Sequence, residues 1–395
     1  MVGASLQIPT SVSSYDGHGI VNLMARIGAA LGGPVGPYPP MELPGGEALD
    51  RASTVILWVI DGLGDRYLKG RASSALAAHR VRGATSVFPA TTSAAVTTFH
   101  TGLAPRAHGV TGWFMHLREL GAVTTWLTFT PRGGGPCWTQ ANPDAEALLR
   151  RPALSDNCSC EAHQVTPRAI VDTPYSRATR GRAVGHGYRT LNELVDQVVR
   201  LARHTAPQRR YIYAYWPDFD AICHDKGVAS PEAEAVFGRV DRAFQRLLDG
   251  LAGSGSVVVA TADHGFIDTA PSRMVHLDDH PELADCLSLP LCGEPRAAYA
   301  YLRPGMEARF DTYVAERLAG QCAAYPSEQL VDAGWFGPAP EHPMFRHRIG
   351  DRILLPADGW VIKDAVLGER LFRQVGVHGG ASADEQQVPV VLAAP

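Results

Sequence analysis

The chain has little that would tie it to a membrane, to nucleic acid or to a disulfide scaffold. Its 395 residues hold no apolar run near the roughly 18 residues that cross a bilayer. The opening stretch, MVGASLQIPTSVSSYDGHGIVNLMARIGAA, lacks a basic start followed by an apolar segment, so no signal peptide is expected. Charged residues make up only 19%, and the formal net charge is −4 with His neutral. That balance argues against a broad basic surface and so against bulk nucleic acid as a partner. The seven cysteines are scattered and odd in number. Cys158 and Cys160 form a C-x-C with no second pair to complete a zinc knuckle, so reduced thiols in a cytoplasmic setting are expected. There is no repeat of fixed period and no low-complexity tail. An anionic substrate would have to be held by metals or by local dipoles rather than by bulk positive charge.

What is present is an ordinary globular composition, 45% hydrophobic. The chain is long enough for one large α/β domain with a lobe, or for two domains. TVILWVI at 54–60 is a continuous apolar, β-branched run that ends in Asp61-Gly62, which predicts a buried parallel strand with a polar tip. SVVVATADHG at 256–265 and RRYIYAYWPDFD at 209–220 have the same form, and QQVPVVLAAP at the C-terminus is a weaker example. Residues 191–205 and 232–253 carry apolar residues at helical spacing. Strands alternating with helices predict a central, mostly parallel sheet between helices. Ligands in such sheets bind beyond the carboxyl ends of the strands, so the polar tips are expected to converge on one site. Residues 110–190, rich in Gly, Pro, Arg and aromatics, and residues 268–375, with short strands and Pro-rich turns, fit that alternation poorly. They are expected to be an inserted lobe and a second insertion or cap on a single catalytic domain spanning 1–395, where specificity would reside.

Four segments carry chemistry. In VFPATTSAAVTTFHTGLAPRAHG at 87–109, a helical run over 92–101 stops at Gly102 and places Thr91 or Thr92 at the helix start. Free amides and the helix dipole there favour a phosphoryl group and an alkoxide, although Thr is also an ordinary helix cap. Asp61 and the pair Asp263-His264 stand at strand tips, where carboxylate and imidazole can ligate a metal. Asp220 and His224, four apart, can face one ion from a single helical turn, with Asp218 and Asp225 as competitors. His378, between glycines in GVHGG, has room to approach a metal or to serve as a loop residue. Three Asp and three His divide into two sites of three protein ligands, the logic of a two-metal clamp on attacking and leaving oxygens. This donor mixture suits Zn²⁺, with Mn²⁺ and Fe as alternatives. HLDDH at 276–280 reads as a solvated loop, with a third metal as the alternative. His108 is expected to shape a turn, and Trp113 and Phe114 to lie in the core, with stacking on an aryl group or base as the alternative.

At these residues the sequence resembles the alkaline phosphatase superfamily, nearest its type I phosphodiesterase/nucleotide pyrophosphatase branch. The motifs that carry the resemblance, in order, are VIDGLG (59–64), FPATTSAAVTTFHTGLAPRAHGV (88–110), DFDAICHDKG (218–227), TADHG (261–265) and GVHGG (376–380). The resemblance implies that Thr92 is the nucleophile. It implies one metal held by Asp61, Thr92, Asp263 and His264, and another by Asp220, His224 and His378. It also implies an Asn three residues after the nucleophile, where this chain has Ala95. The sulfatase signature, the mutase-type Ser and the mutase inserted domain are absent.

The function expected is a two-metal hydrolase of phosphate diesters or nucleotide pyrophosphates acting through a phosphoryl-threonine intermediate on a small-molecule substrate. The alternatives are a phosphomonoesterase or phosphonate hydrolase on the same site, or a metal-binding protein without turnover. Diesters are favoured because 89–98 and 218–221 contain no Lys or Arg to meet the extra charge of a monoester. Arg66, Arg106 and Arg132 are the arginines that could reverse that preference from a loop.

Overall fold

A computed structural model describes residues 13–141, 144–204, 207–369 and 373–395. The first part of the leader-region expectation, residues 1–12, lies outside the described residues, as do residue 205 of the expected helical stretch and 142–143 and 370–372 of the two expected insertions. Two seven-stranded sheets dominate the fold. The first contains β1 (Thr54–Ile60), β2 (Arg80–Thr85), β3 (Glu161–Pro167), β4 (Val184–Tyr188), β5 (Arg210–Trp216), β6 (Ser256–Thr261) and β7 (Gln387–Ala393), in the order β2-β7-β6-β1-β5-β3-β4. β1 pairs parallel with both β5 and β6, and β3 pairs parallel with both β5 and β4. β7 alone runs antiparallel, against β2 and β6. Every residue of β1, β5 and β6 is buried, which is why these strands read as unbroken apolar runs rather than as alternating ones.

Helices cover this sheet. They include α1 (Thr92–Thr101), α2 (Leu191–Arg203), α3 (Asp218–Lys226) and α4 (Pro231–Leu251). α4 starts at Pro231 behind a Ser230 cap and buries Val236, Phe237, Val240, Phe244, Leu247 and Leu251 along one stripe. α1 is different: its residues from Ser93 to Thr101 are buried all round, and it ends at Gly102 with φ +71°. A helix buried on every side is held by its surroundings rather than by one apolar face.

The second sheet is antiparallel throughout its recorded pairings, in the order 322–326, 352–356, 297–300, 292–294, 114–117, 122–125, 130–131. The stretch 110–190, expected as one inserted lobe, divides between the two sheets. Its first part supplies Phe114–Leu117, Ala122–Thr125 and Thr130–Pro131 to the second sheet, and its last part supplies β3 and β4 to the first. Strand β3 pairs with β5 along Glu161–Val165, a contact that no local sequence pattern announces. Among the described residues no helix is long and apolar enough to cross a membrane.

Candidate active site

Three adjacent strands deliver the polar tips. β6, β1 and β5 are neighbours, and Asp263, Asp61 and Asp220 follow their C-terminal ends. Asp61 turns out of β1 through Gly62, whose φ is +76° and where a Cβ would meet Phe266 at 2.4 Å, so only glycine fits this turn. Asp220 stands in the first turn of α3 and His224 in its last, one above the other. Asp218, the competitor, is exposed to solvent. His378 enters from the loop beyond 376–377, a two-residue strand paired with 267–268 just after Asp263-His264.

The side chains converge. His264 Nε2 lies 3.4 Å from Asp61 Oδ1, 3.4 Å from Asp263 Oδ2 and 3.2 Å from Thr92 Oγ1. Asp220 Oδ1 lies 3.4 Å from His224 Nε2 and 3.7 Å from His378 Nε2, and the two imidazoles are 3.2 Å apart. Among the described residues, two three-residue groups have ligand atoms all within 4.8 Å of one another: Asp61–Asp263–His264 and Asp220–His264–His378. His264 thus stands between the halves, 3.9 Å from Asp220 Oδ1.

Asp61 and Asp263 are each half satisfied. Tyr215 donates its hydroxyl to Asp61 Oδ2, and the amides of Gly62 and His264 donate to Asp263 Oδ1 at 3.0 and 3.1 Å. Asp61 Oδ1, Asp263 Oδ2 and Asp220 Oδ1 are buried and accept no hydrogen bond among the described residues. The imidazoles follow the same rule. Nδ1 of His264, His224 and His378 faces the carbonyls of Gly265, Gly376 and Ala90 at 3.1, 2.9 and 3.1 Å. A nitrogen facing a carbonyl carries the proton, so in each ring the Nε2 lone pair points into the cluster. Buried polar atoms without partners are costly, by about 1–3 kcal/mol each and more for charges. Six acceptors turned toward one another therefore fit cations and little else.

The protonation tendencies carry the same message. Burial, then the charges of Asp263 and Asp220, push the Asp61 carboxyl well above its usual range. Asp220 is raised by burial, then by Asp263 and Glu294. Burial holds His264 and His378 down, the latter further by its imidazole neighbours, and lowers His224 to about 4. Carboxylates that repel one another and imidazoles kept neutral are what a cation-binding site presents before its cations are added.

The cluster opens into a cavity of about 720 Å³ whose wall includes Thr91, Thr92, Trp113, Phe114, Glu294 and Lys363. Trp113 is 37% exposed and Phe114 half-buried, so the expectation that both lie in the core is corrected. The single pairing of Phe114 with Gly293 across the second sheet holds them on this wall. His276, Asp278 and Asp279 line the same cavity but, among the described residues, form no three-ligand group. His108 accepts the Val110 amide at the end of its turn, as expected. Ala95 is fully buried on α1, inside the core rather than on the cavity wall.

Three residues escaped the sequence reading. Tyr215 sits among the aromatics of β5 and differs from its neighbours only through the strand register. Lys363 reaches the cavity from the short strand Val361–Lys363 and donates to Gln374 Oε1 at 3.0 Å; the Gln374 amide nitrogen lies 3.0 Å from His224 Nδ1. Glu294 is buried, and its one sequence signal is a lone acid beside Gly293 in a stretch of small residues. Of the three arginines considered, Arg66 is exposed and pairs with Asp384, and Arg106 pairs with Glu341. Arg132 lines the cavity but is held by Asp364 and Glu369.

Comparison with known proteins places these features in context. The family described as type I phosphodiesterase/nucleotide pyrophosphatase matches residues 55–381. A search of curated sequences finds no match. Among solved structures, a murine ectonucleotide pyrophosphatase/phosphodiesterase 5 superposes with a TM-score of 0.64 at 16% identity, covering 86% of this chain and 88% of its own. The same murine protein, inactive and in complex with AMP, gives 0.61 at 17% identity, with 85% and 87% covered. Phosphonoacetate hydrolase from Sinorhizobium meliloti 1021, in complex with phosphonoformate, gives 0.63 at 18% identity, with 87% and 90% covered.

Proposed function

The chain belongs to the type I phosphodiesterase/nucleotide pyrophosphatase family, and from that premise we propose that it hydrolyses phosphate diesters or nucleotide pyrophosphates at the Asp/His cluster, with Thr92 as nucleophile and two divalent cations as cofactors. The observation that carries the reading is the set of buried acceptors, three carboxylate oxygens and three Nε2 atoms, turned toward one another beside the Thr92 hydroxyl. Asp61, Thr92, Asp263 and His264 would hold one cation, and Asp220, His224 and His378 the other. Zn²⁺ suits this mixture of carboxylate and imidazole, with Mn²⁺ and Fe as alternatives. Cations bound there would acidify the Thr92 hydroxyl and neutralise charge on the phosphoryl and leaving oxygens.

The chain's own groups do the rest. Thr92 starts α1, so its oxygen and the first-turn amides face the phosphoryl group together. Thr92 Oγ1 gives up its proton to solvent and bonds to phosphorus as the ester bond breaks, and the leaving oxygen departs with the bonding pair and takes up a proton from solvent. Water then cleaves the phosphoryl-threonine, and two in-line displacements retain configuration at phosphorus. The three Nδ1–H···O=C bonds hold the imidazoles in one tautomer throughout. The whole chain, 1–395, acts as one catalytic unit in which the second sheet supplies the wall that selects the organic group. Trp113 and Phe114 offer that group an apolar shelf.

Lys363 favours a second reading, a phosphonate or monoester hydrolase, because it brings positive charge to the wall near His224. Comparing kcat/KM for an aryl diester, an aryl monoester and a dinucleoside pyrophosphate separates the two. The diester or pyrophosphate is expected to lead. A monoester advantage of tenfold or more, about 1.4 kcal/mol, selects the second reading. Elemental analysis is expected to find about two transition-metal ions per chain. Metal-free protein with activity that strong chelators leave intact would sink both readings.

A further inference from the structure

Helix α1 begins in an unusual way. Its N-cap, Thr91, has the extended backbone of an ordinary cap, and a Thr hydroxyl at that position ordinarily accepts from the second or third helical amide, here Ser93 or Ala94. Thr91 does not cap. Its hydroxyl turns away and donates to Glu294 Oε1 at 2.6 Å. The Thr91 carbonyl takes the Ala95 amide at 2.9 Å, and among the described residues the amides of Thr92, Ser93 and Ala94 donate to no protein group. Ser93 Oγ, fully buried, has no partner either.

Glu294 is built into this place. Its Oε1 also accepts the Trp113 amide at 2.7 Å, which fixes the carboxylate between α1 and the cavity wall. Gly379, φ +106°, lies so close that a Cβ would come within 2.7 Å of Glu294 Cβ. Burial pushes the Glu294 carboxyl up to about 7, against the two hydrogen bonds that favour its charged form. A buried acid beside a site for anionic phosphate is costly unless it has a task there.

We infer that Glu294 is a positioning residue for the phosphoryl group: it holds the Thr91 hydroxyl off the start of α1, so that the first-turn amides stay open to a phosphoryl oxygen. Without it the Thr91 hydroxyl rotates into the ordinary cap and occupies the donors that the substrate needs. The inference rests on the reading of Thr92 as nucleophile. It also explains why a Thr stands at the cap without capping.

The test is a double-mutant rescue in the full-length, metal-loaded protein, assayed with bis(4-nitrophenyl) phosphate and with inorganic phosphate as competitor. Glu294→Ala is expected to lower kcat/KM at least tenfold and to weaken inhibition by phosphate to a similar degree. Glu294→Gln, which keeps an acceptor oxygen, is expected to stay within about threefold of the parent, since removing one oxyanion donor costs about 10²–10³ and here none is lost. Adding Thr91→Val to Glu294→Ala removes the hydroxyl that would close the amides and is expected to recover at least fivefold. If Glu294→Ala does not fold, Glu294→Met, which fills the volume without an acceptor, takes its place. A double variant no better than the single one, a Gln variant as poor as the Ala variant, or phosphate inhibition unchanged in Glu294→Ala would each overturn the inference. Thr92→Ala in the same assay separates the two claims. Residual full activity there defeats the nucleophile assignment, whereas an inactive Thr92→Ala with no rescue defeats the role of Glu294 alone.

Discussion

The strand tips and the cavity wall opposite them use similar side chains to opposite effect. On the wall, Arg132 is saturated by Asp364, Glu369 and the Leu291 carbonyl, so its charge is spent inside the protein. At the tips, Asp61, Asp220 and Asp263 each keep a buried oxygen with no partner among the described residues. A region whose polar groups satisfy one another shapes a cavity. A region whose buried polar groups stay unsatisfied stores a demand for something the chain does not supply. Under the proposed function, chemistry belongs to the tips and selection to the wall.

The largest expected effect breaks the tip side of that contrast. Thr92→Ala is expected to lower turnover by about 10⁴-fold or more, roughly 5.4 kcal/mol at 1.36 kcal/mol per decade, with the fold intact by circular dichroism. Thr91→Ala is expected to be far milder. Equal losses in the two would remove Thr92 from its role.

The next effect distinguishes two acids on one helix. Asp220→Asn is expected to lower metal content and activity at least a hundredfold, because its buried oxygen faces His224 and His378. Asp218→Asn is expected to change either by less than threefold, because Asp218 is exposed. Metal analysis of the two purified variants checks this. The reverse ranking would move the second cation off Asp220.

A smaller effect concerns stability rather than turnover. His100 is buried against Tyr213, and burial lowers it to about 3 from the ordinary 6.5. Above pH 6.5 the ring is neutral in both folded and unfolded chains and contributes no pH dependence. Between pH 6.5 and about 3 only the unfolded chain takes up the proton. Stability is therefore expected to fall with decreasing pH, by up to about 1.4 kcal/mol per unit from this ring. His100→Gln is expected to flatten the decline in urea midpoints across that window. An unchanged slope would mean that His100 is not held neutral.

The smallest effect belongs to the wall. Trp113→Ala is expected to raise KM for an aryl diester severalfold with kcat nearly constant, as loss of a shelf that grips ground state and transition state alike. A loss confined to kcat would instead link the Trp113 side chain to the chemistry.

Much of this molecule was legible in one dimension. Buried parallel strands announce themselves as unbroken apolar runs, and β1, β5 and β6 fall within the runs expected. α1 also spans the expected 92–101 and stops at Gly102. That three strands should end in Asp is local information, and a parallel sheet turns it into convergence because all its C-terminal ends lie on one edge. That fact brings the three carboxylates together, whereas His224 arrives on α3 and His378 on the loop beyond 376–377. What the order of residues left open depends on partners far away in the chain. β3 and β4 carry polar and histidine-bearing sequences, and they are strands because β5 offers β3 an edge to pair with and β3 in turn offers one to β4. Trp113 lies on the cavity wall because Phe114 pairs with Gly293, almost 180 residues later. Glu294 and Lys363 belong to segments whose local pattern is unremarkable; Glu294 reaches the cavity on the second sheet and Lys363 on a short strand paired with 274–276, so only the tertiary packing brings them there. Secondary structure follows from periodicities that neighbours along the chain already contain, whereas the environment of a charge is set by whatever the fold places around it.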